Sequence, residues 1–518
     1  MDTRNNQWVR ASRPDAAVRA EVGVHTLQGR AWRPSPIAKG IFQALLFISV
    51  SLITLSSCTE DFKDINTNPN GPTNVQPELL FRQVLYGYGN DMGREGFAGG
   101  ALLSQHFAMT DFNLFDRHAL GSPQEGGDPW PILYNALRDN ETVLDISRTN
   151  PAAAVYEGPA LVMKAYLAMH LTDIFGDVPY FDAFNARRGG VTTPRYDEQE
   201  AIYTAEGGIL DNLTRAVAAM NSYTGAIRLQ GDIVYNGDLG GWTRMANSLR
   251  VKALMRIADR QDPGAALQQL VTEGQLLADN AQNATFNFAA SPPNSFPIAE
   301  VRDGIFNVFS MSLLAQQVLT ELDDPRIATF YLPVGGDDFV GLRNGPVGGS
   351  PVPQNIARPG RIWREETNRL QFNFMTAWEL DFLLAEAALR GFIDGDASDY
   401  YEAGVRKAFA YWDTDLPDDY LASTPIDFDD NDSENALRQI ITQKWIASIG
   451  NVYEGWTEWR RTGYPALLEV QASLNDGAIP TRMPYPNEEQ ALNFENYSSA
   501  AAEVDGNSVN ARVWWDVE

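Results

Sequence analysis

Apolar positions recur at helical spacing along most of this chain. Trp242, Met245, Ala246, Leu249, Ala253 and Ile257 fall at offsets 0, 3, 4, 7, 11 and 15, which is one face of one helix. Leu437, Ile441, Trp445 and Ile449 step by four within 434–450. Further helices are predicted over 77–91, 160–175, 208–220, 372–391 and 400–412. Another follows Asp128-Pro129-Trp130-Pro131, with Asp128 as N-cap and the prolines in the first turn. Gly176 is placed to stop the helix that ends at Phe175. Few segments alternate with period two, so no large sheet is expected and the fold class is mainly α.

Two long stretches break the helical rhythm. Residues 283–307 are rich in Phe, Asn, Pro and Ser, and 332–367 are dense in Gly and Pro. Long irregular segments of this kind serve as binding surfaces or as solvent-exposed insertions.

The N-terminal region has its own logic. Residues 41–55, IFQALLFISVSLITL, form an apolar run behind Lys39. Fifteen residues suit a signal-peptide core better than a membrane span, which needs about 20. The run ends at Leu55-Ser56-Ser57-Cys58, and Cys58 is the only cysteine. This looks like the lipobox of bacterial lipoproteins. There the thiol takes a diacylglycerol, cleavage frees the cysteine amine, and a further acyl chain such as palmitate is added. Stable anchoring takes two or more acyl chains. Glu60 and Asp61 are similar to signals that send lipoproteins to the cell surface. The expected organisation is 1–38 as a non-structural leader or misassigned start, 39–57 as signal peptide, 58–76 as lipidated tether and 77–518 as a single helical domain.

Charge narrows the partners. The formal net charge is −27, and residues 1–57 run against it with seven Lys or Arg and three Asp or Glu. The remainder, with 33 basic and 64 acidic residues, is unsuited to phosphate contacts, so no nucleic-acid partner is expected. One cysteine excludes an intramolecular disulfide. His106, His118 and His170 are widely spaced, and no motif with metal-ligand or nucleophile spacing occurs. No catalytic residue, metal site or cofactor is assigned beyond the lipid on Cys58. Glu454 and Glu458 share a helix face and could be read as a hydrolase acid pair. Arg460 and Arg461 offer a simpler role for them as ion-pair partners. Arg250 is placed to reach a carboxylate at a helix junction. In DFDDNDSEN, Asp427, Asp429 and Asn431 match the first positions of a calcium loop. Asp432 and Arg438 then stand where Gly and Glu belong. An acidic N-cap at Asp432 or Ser433 fits better, with room left for an adventitious calcium.

Five stretches carry a family resemblance: FGDVPYFDA, YNGDLGGWTRMANSLRVKALMR, LLAEAALRG, QKWIASIGNVYEGWTEWRRTGYP and MPYPNEEQALN, in that order behind the lipobox. Together with INTNPN they resemble the SusD/RagB family of outer-membrane nutrient-binding lipoproteins. The resemblance covers Cys58 to the end. It implies tetratricopeptide-like helical hairpins with irregular loops on one side as a binding face. It also implies no catalysis. The implied setting is the outer face of the outer membrane, beside a SusC-like TonB-dependent barrel that receives captured oligosaccharides or peptides. The strict tetratricopeptide consensus is not visible in the sequence.

A saccharide site needs flat rings for the sugar face and amides or carboxylates for its hydroxyls. Thr110 to His118, TDFNLFDRH, supplies Asp111 and Asn113, and the following helix supplies Trp130 and Tyr134. Phe296 and Trp363 are further candidates from the irregular segments. Each could equally be a core or packing residue.

Overall fold

The computed structural model describes residues 76–517 apart from 122–126, 187–188, 350 and 352. The leader, the signal peptide, Cys58 and the tether up to residue 75 lie outside the described residues.

Helix α1, Pro77–Glu95, opens with Pro and Glu in its first turn and buries Phe81, Val84, Leu85, Tyr88 and Met92 on one stripe. It runs on through one wider π-helical turn, Gly96–Gly100. Glycine is needed there because a Cβ on Gly100 would stand 1.6 Å from the Val452 carbonyl oxygen. Helices α2 (Pro129–Thr149), α3 (Glu157–Phe175), α4 (Ile209–Ser222) and α5 (Leu239–Arg256) follow, each packed on the one before it. α3 is apolar on every side and buried on every side, which puts it at the centre of the layer. Gly176 ends it at φ +80°. Asp238 caps α5 by accepting from the Gly240 and Gly241 amides, and the predicted stripe from Trp242 to Ile257 is fully buried. Burying each large apolar side chain of that stripe contributes about 1.5–3 kcal/mol.

After α6 (Leu313–Glu321) come α7 (Ala377–Leu389), α8 (Ala397–Tyr411), α9 (Ser433–Ala447) and α10 (Glu454–Thr462). α7 packs against α8, α9 and α5, so the two groups of hairpins share one wall. Asp432 caps α9 by accepting from the Asn435 amide, as the acidic loop suggested. Among the described residues six short strands pair in twos, all antiparallel: β1 (Phe107–Met109) with β3 (Phe309–Met311), β2 (Ala284–Asn287) with β6 (Gln371–Met375), and β4 (Tyr331–Leu332) with β5 (Arg358–Pro359). No helix among the described residues is long and apolar enough to cross a membrane.

Three local expectations are corrected. Residues 371–375 form β6 rather than the start of a helix, because Phe372 and Phe374 alternate with polar residues and Phe372 stacks on Phe286 of β2. Thr376 then caps α7 through the Glu379 amide. Asp128 precedes α2 but its side chain makes no cap hydrogen bond. Arg250 donates to Asn247 Oδ1 at 3.3 Å and has no carboxylate within ion-pair distance among the described residues. One turn and a half later, Arg256 takes the junction role.

Candidate functional site

Glu454 and Glu458 do share a face of α10, and that face is buried. Glu454 meets Arg256 Nη2 at 3.0 Å, Lys252 at 2.9 Å and Lys444 at 3.0 Å. Glu458 meets Arg461 at 2.7 Å and Lys444 at 3.4 Å, and pairs closely with Arg256. Asp173, Glu379 and Glu386 close the cluster through Arg256, Lys252 and Arg461. Burial opposes ionisation of Glu454, but the charges of Arg256, Lys252 and Lys444 outweigh it and hold the carboxyl well below its usual range. Glu458 is likewise held low, burial being outweighed by Arg461, Lys444 and Arg256. Two carboxylates locked ionised in a closed lattice of cations cannot trade protons with a substrate. Arg461 is the partner expected for them. Arg460 is not: its guanidinium lies 3.8 Å from the Trp456 ring centroid and donates to the Asp173 carbonyl at 2.6 Å.

Polar groups are displayed elsewhere, on the stretch that follows β1. Three segments are knitted together there. Asp116, 2% exposed, accepts from the Met109 amide at 3.0 Å, the Gly345 amide at 2.8 Å and Asn344 Nδ2 at 2.6 Å. Burial nonetheless pushes its pKa up to about 6. Asn113 is buried and donates to the Pro346 carbonyl at 2.7 Å. Arg117 Nε donates to Ala472 O at 2.7 Å, and the Leu474 amide donates to Arg117 O at 2.7 Å. Gly345 sits at φ +63°, where a Cβ would stand 2.2 Å from Val470 Cγ1, so only glycine lets the segments close up.

This frame holds Phe112 outward. Its ring is 65% exposed and its backbone lies at φ +51°, a region that non-glycine residues occupy at a cost of about 1–3 kcal/mol. Asp111 beside it is exposed and accepts from the Phe112 amide at 2.8 Å, which steadies the turn. Gln105 and His118, at φ +55° and +67°, bracket the same stretch. A rigid loop presenting one bare ring next to one carboxylate can stack on a sugar face and accept from its hydroxyls.

The other candidates separate. Trp130 is 9% exposed and packs on Tyr134, Phe175 and Tyr485, with centroids at 4.7, 4.8 and 6.2 Å. It shares a cavity of about 300 Å³ with Asp128, Tyr485 and Glu488. Burial, then the charge of Glu488, raises the pKa of Asp128. Tyr134 lies behind Trp130, its hydroxyl donating to the Pro179 carbonyl at 2.7 Å. Phe296 and Trp363 are core residues, 4% and 1% exposed, with ring centroids 6.0 Å apart. The Trp363 indole donates to Phe330 O. These positions correct the expectation that the irregular segments lend those two rings to a surface: each was drawn into the core by neighbouring aromatics. Asn113 likewise secures the loop instead of facing outward. Phe112, the residue between the two polar candidates, was missed. Its exposure follows from a positive φ that phenylalanine gives no sign of in a sequence.

Comparison with known proteins bears on this arrangement. The SusD-like family, described as starch-binding and associating with the outer membrane, matches residues 69–486. Among solved structures, a chitin-binding protein is 26% identical with a TM-score of 0.70, covering 86% of this chain and 100% of its own. A chitin-binding SusD homologue from Flavobacterium johnsoniae is 24% identical, TM-score 0.71, covering 85% and 98%. A SusD homologue from Bacteroides fragilis is 23% identical, TM-score 0.73, covering 86% and 100%. No functionally curated protein matches the chain.

Proposed function

The chain belongs to the SusD-like family, and from that premise we propose that it is a surface lipoprotein that captures oligosaccharides. It hands them, without chemical change, to a SusC-like TonB-dependent barrel in the outer membrane. Cys58 carries the diacylglycerol and N-acyl lipid, and the acidic pair Glu60 and Asp61 directs the protein to the outer face of the cell. The observation that carries the binding reading is Phe112, an exposed ring held at positive φ by a frame of buried hydrogen bonds beside Asp111. Chitin binding by two of the similar structures supports a saccharide over a peptide as ligand class. Burial of Glu454 and Glu458 in the ion cluster supports binding without hydrolysis. Trp130 and its cavity offer a further contact for a longer chain.

The test is to titrate the purified protein with starch-, cellulose- and chitin-derived oligosaccharides and a peptide panel, and to assay each for turnover. Binding of one glycan class with no turnover is expected, and Phe112→Ala weakens it about tenfold or more. Hydrolysis of any glycan, or binding of peptides alone, refutes the reading.

A further inference from the structure

A second cavity, of about 320 Å³, lies between α6 and α9 and shares no residue with the Phe112 loop or the Trp130 cavity. That volume falls at the lower end of small-molecule sites. Helix α9 has two stripes. Ile441 and Trp445 point into the apolar core, whereas Asn435, Gln439, Thr442 and Gln443 line the cavity. A helix facing another helix ordinarily presents apolar residues. Here it presents four uncharged hydrogen-bonding side chains with Arg438 among them, whose guanidinium donates to Asn435 Oδ1, and α6 answers with Gln317 and Glu321, one turn apart. The Tyr464 ring adds a flat apolar wall.

Some of these groups are already bonded within the protein and others are free. Gln443 is occupied: it accepts from Arg326 at 2.7 Å and donates to the Tyr420 hydroxyl at 2.9 Å, so it forms a fixed floor. Gln439 is 6% exposed and donates through Nε2 to the Pro425 and Asp427 carbonyls, at 3.2 and 2.9 Å. Those two acceptors fix its amide orientation, because the amide oxygen cannot face two carbonyls. Its Oε1 is left buried without a donor. The side chains of Thr442, Gln317 and Glu321 make no protein hydrogen bond among the described residues. A buried acceptor without a donor is rare, and where one lines a cavity a guest or water supplies the donor.

We infer that the α6–α9 cavity is a second saccharide site, taking one or two neutral sugar units, with hydroxyls donating to Gln439 and Glu321 and accepting from Gln317 and Thr442. Neutral amides and a hydroxyl suit a neutral polyol, and Glu321 and Arg438, one of each sign in the lining, leave the cavity with no net charge to select an ion. Tyr464 provides the stacking face. The site stands on its own residues and does not depend on the Phe112 loop.

The experiment is calorimetric titration of the purified protein with maltose, cellobiose, N,N′-diacetylchitobiose and, as a contrasting class, dialanine. It is run on the wild type, on Phe112→Ala and on the pair Gln317→Ala with Thr442→Val. The pair is chosen because Gln317 is exposed and the valine keeps the threonine shape, so the fold is preserved; circular dichroism checks it. A disaccharide that still binds Phe112→Ala, and binds the pair variant about tenfold more weakly there, is the expected result. Three outcomes overturn the inference: no disaccharide binding to Phe112→Ala at about 10 mM, binding indifferent to the pair variant, or binding of dialanine in place of sugars. Equal binding by wild type and Phe112→Ala, with loss in the pair variant, would instead sink the loop reading and leave this one standing.

Discussion

The ion cluster around Glu454 and the loop around Phe112 are built from similar residue types and come out opposite. In the cluster every charge is paired inside the protein, and cations from α5, α9 and α10 surround carboxylates from α3, α7 and α10. In the loop the buried groups Asp116, Asn113 and Asn344 are satisfied so that the Phe112 ring and the Asp111 carboxylate can be left facing solvent. One region closes on itself and holds helices together. The other uses its internal bonds to hold a strained ring toward solvent. Residue type does not separate structural from functional polarity in this molecule; what separates them is whether the bonds end within the fold.

Breaking the cluster should give the largest effect. Glu454→Gln removes one of the carboxylates facing Arg256, Lys252 and Lys444 and leaves buried cations short of a partner. A loss of about 3–5 kcal/mol is expected in urea unfolding. Protein that remains folded should keep its glycan affinity. Acid acts on the same region next. Folded-state pKa values of Glu454 and Glu458 lie below the ordinary 4.5, so their contribution is complete above pH 4.5 and is lost as pH falls through the folded values. Urea midpoints should therefore drop steeply on the acid side of pH 4.5. Burial pushes His106 and His170 down to about 3 and His118 to about 4, so each stays uncharged in the folded state and costs stability as pH falls below the ordinary 6.5.

The loop titrates in the other direction, and more weakly. Burial raises Asp116 from 3.8 to about 6, so the folded state binds the extra proton between those values. The contribution of Asp116 to stability therefore declines as pH rises through that window, a loss that Asp116→Asn removes. The variant should gain on the wild type from pH 4 upward and level off above about pH 6, read from paired urea midpoints. An unchanged difference across the window would show that Asp116 titrates normally and that the loop is less closed than its hydrogen bonds imply.

The same contrast explains what the sequence disclosed. The motifs that carry the family resemblance supply Lys252, Arg256, Glu386, Lys444, Glu454, Glu458 and Arg461, and these converge on the cluster. Helical periodicity exposed the buried stripe of α5 because period and burial have one cause there. The strand at 371–375 was hidden because Phe-Asn-Phe runs straight into a helical pattern, and only Thr376 marks the join. Composition located the loop and its exposed Asp111 but passed over Phe112 and misassigned Asn113. Asn113 faces inward because Pro346, over two hundred residues away, offers it a carbonyl, and no local pattern encodes that meeting.

Phe112 offers the finest test of the comparison, since stability and binding should move apart there. Glycine at this position removes the ring and also relieves a backbone that phenylalanine tolerates poorly at φ +51°. The ring contributes little to the core, being 65% exposed, so relief dominates the stability change. Phe112→Gly should raise stability by about 1 kcal/mol, less whatever the freer unfolded chain gives back. Glycan affinity should fall at least as far as in Phe112→Ala. Phe112→Ala keeps the positive φ and should not show the gain. Were glycine instead to lower stability while leaving affinity unchanged, Phe112 would be a packing residue like those of the cluster, and the distinction between the two regions would fail.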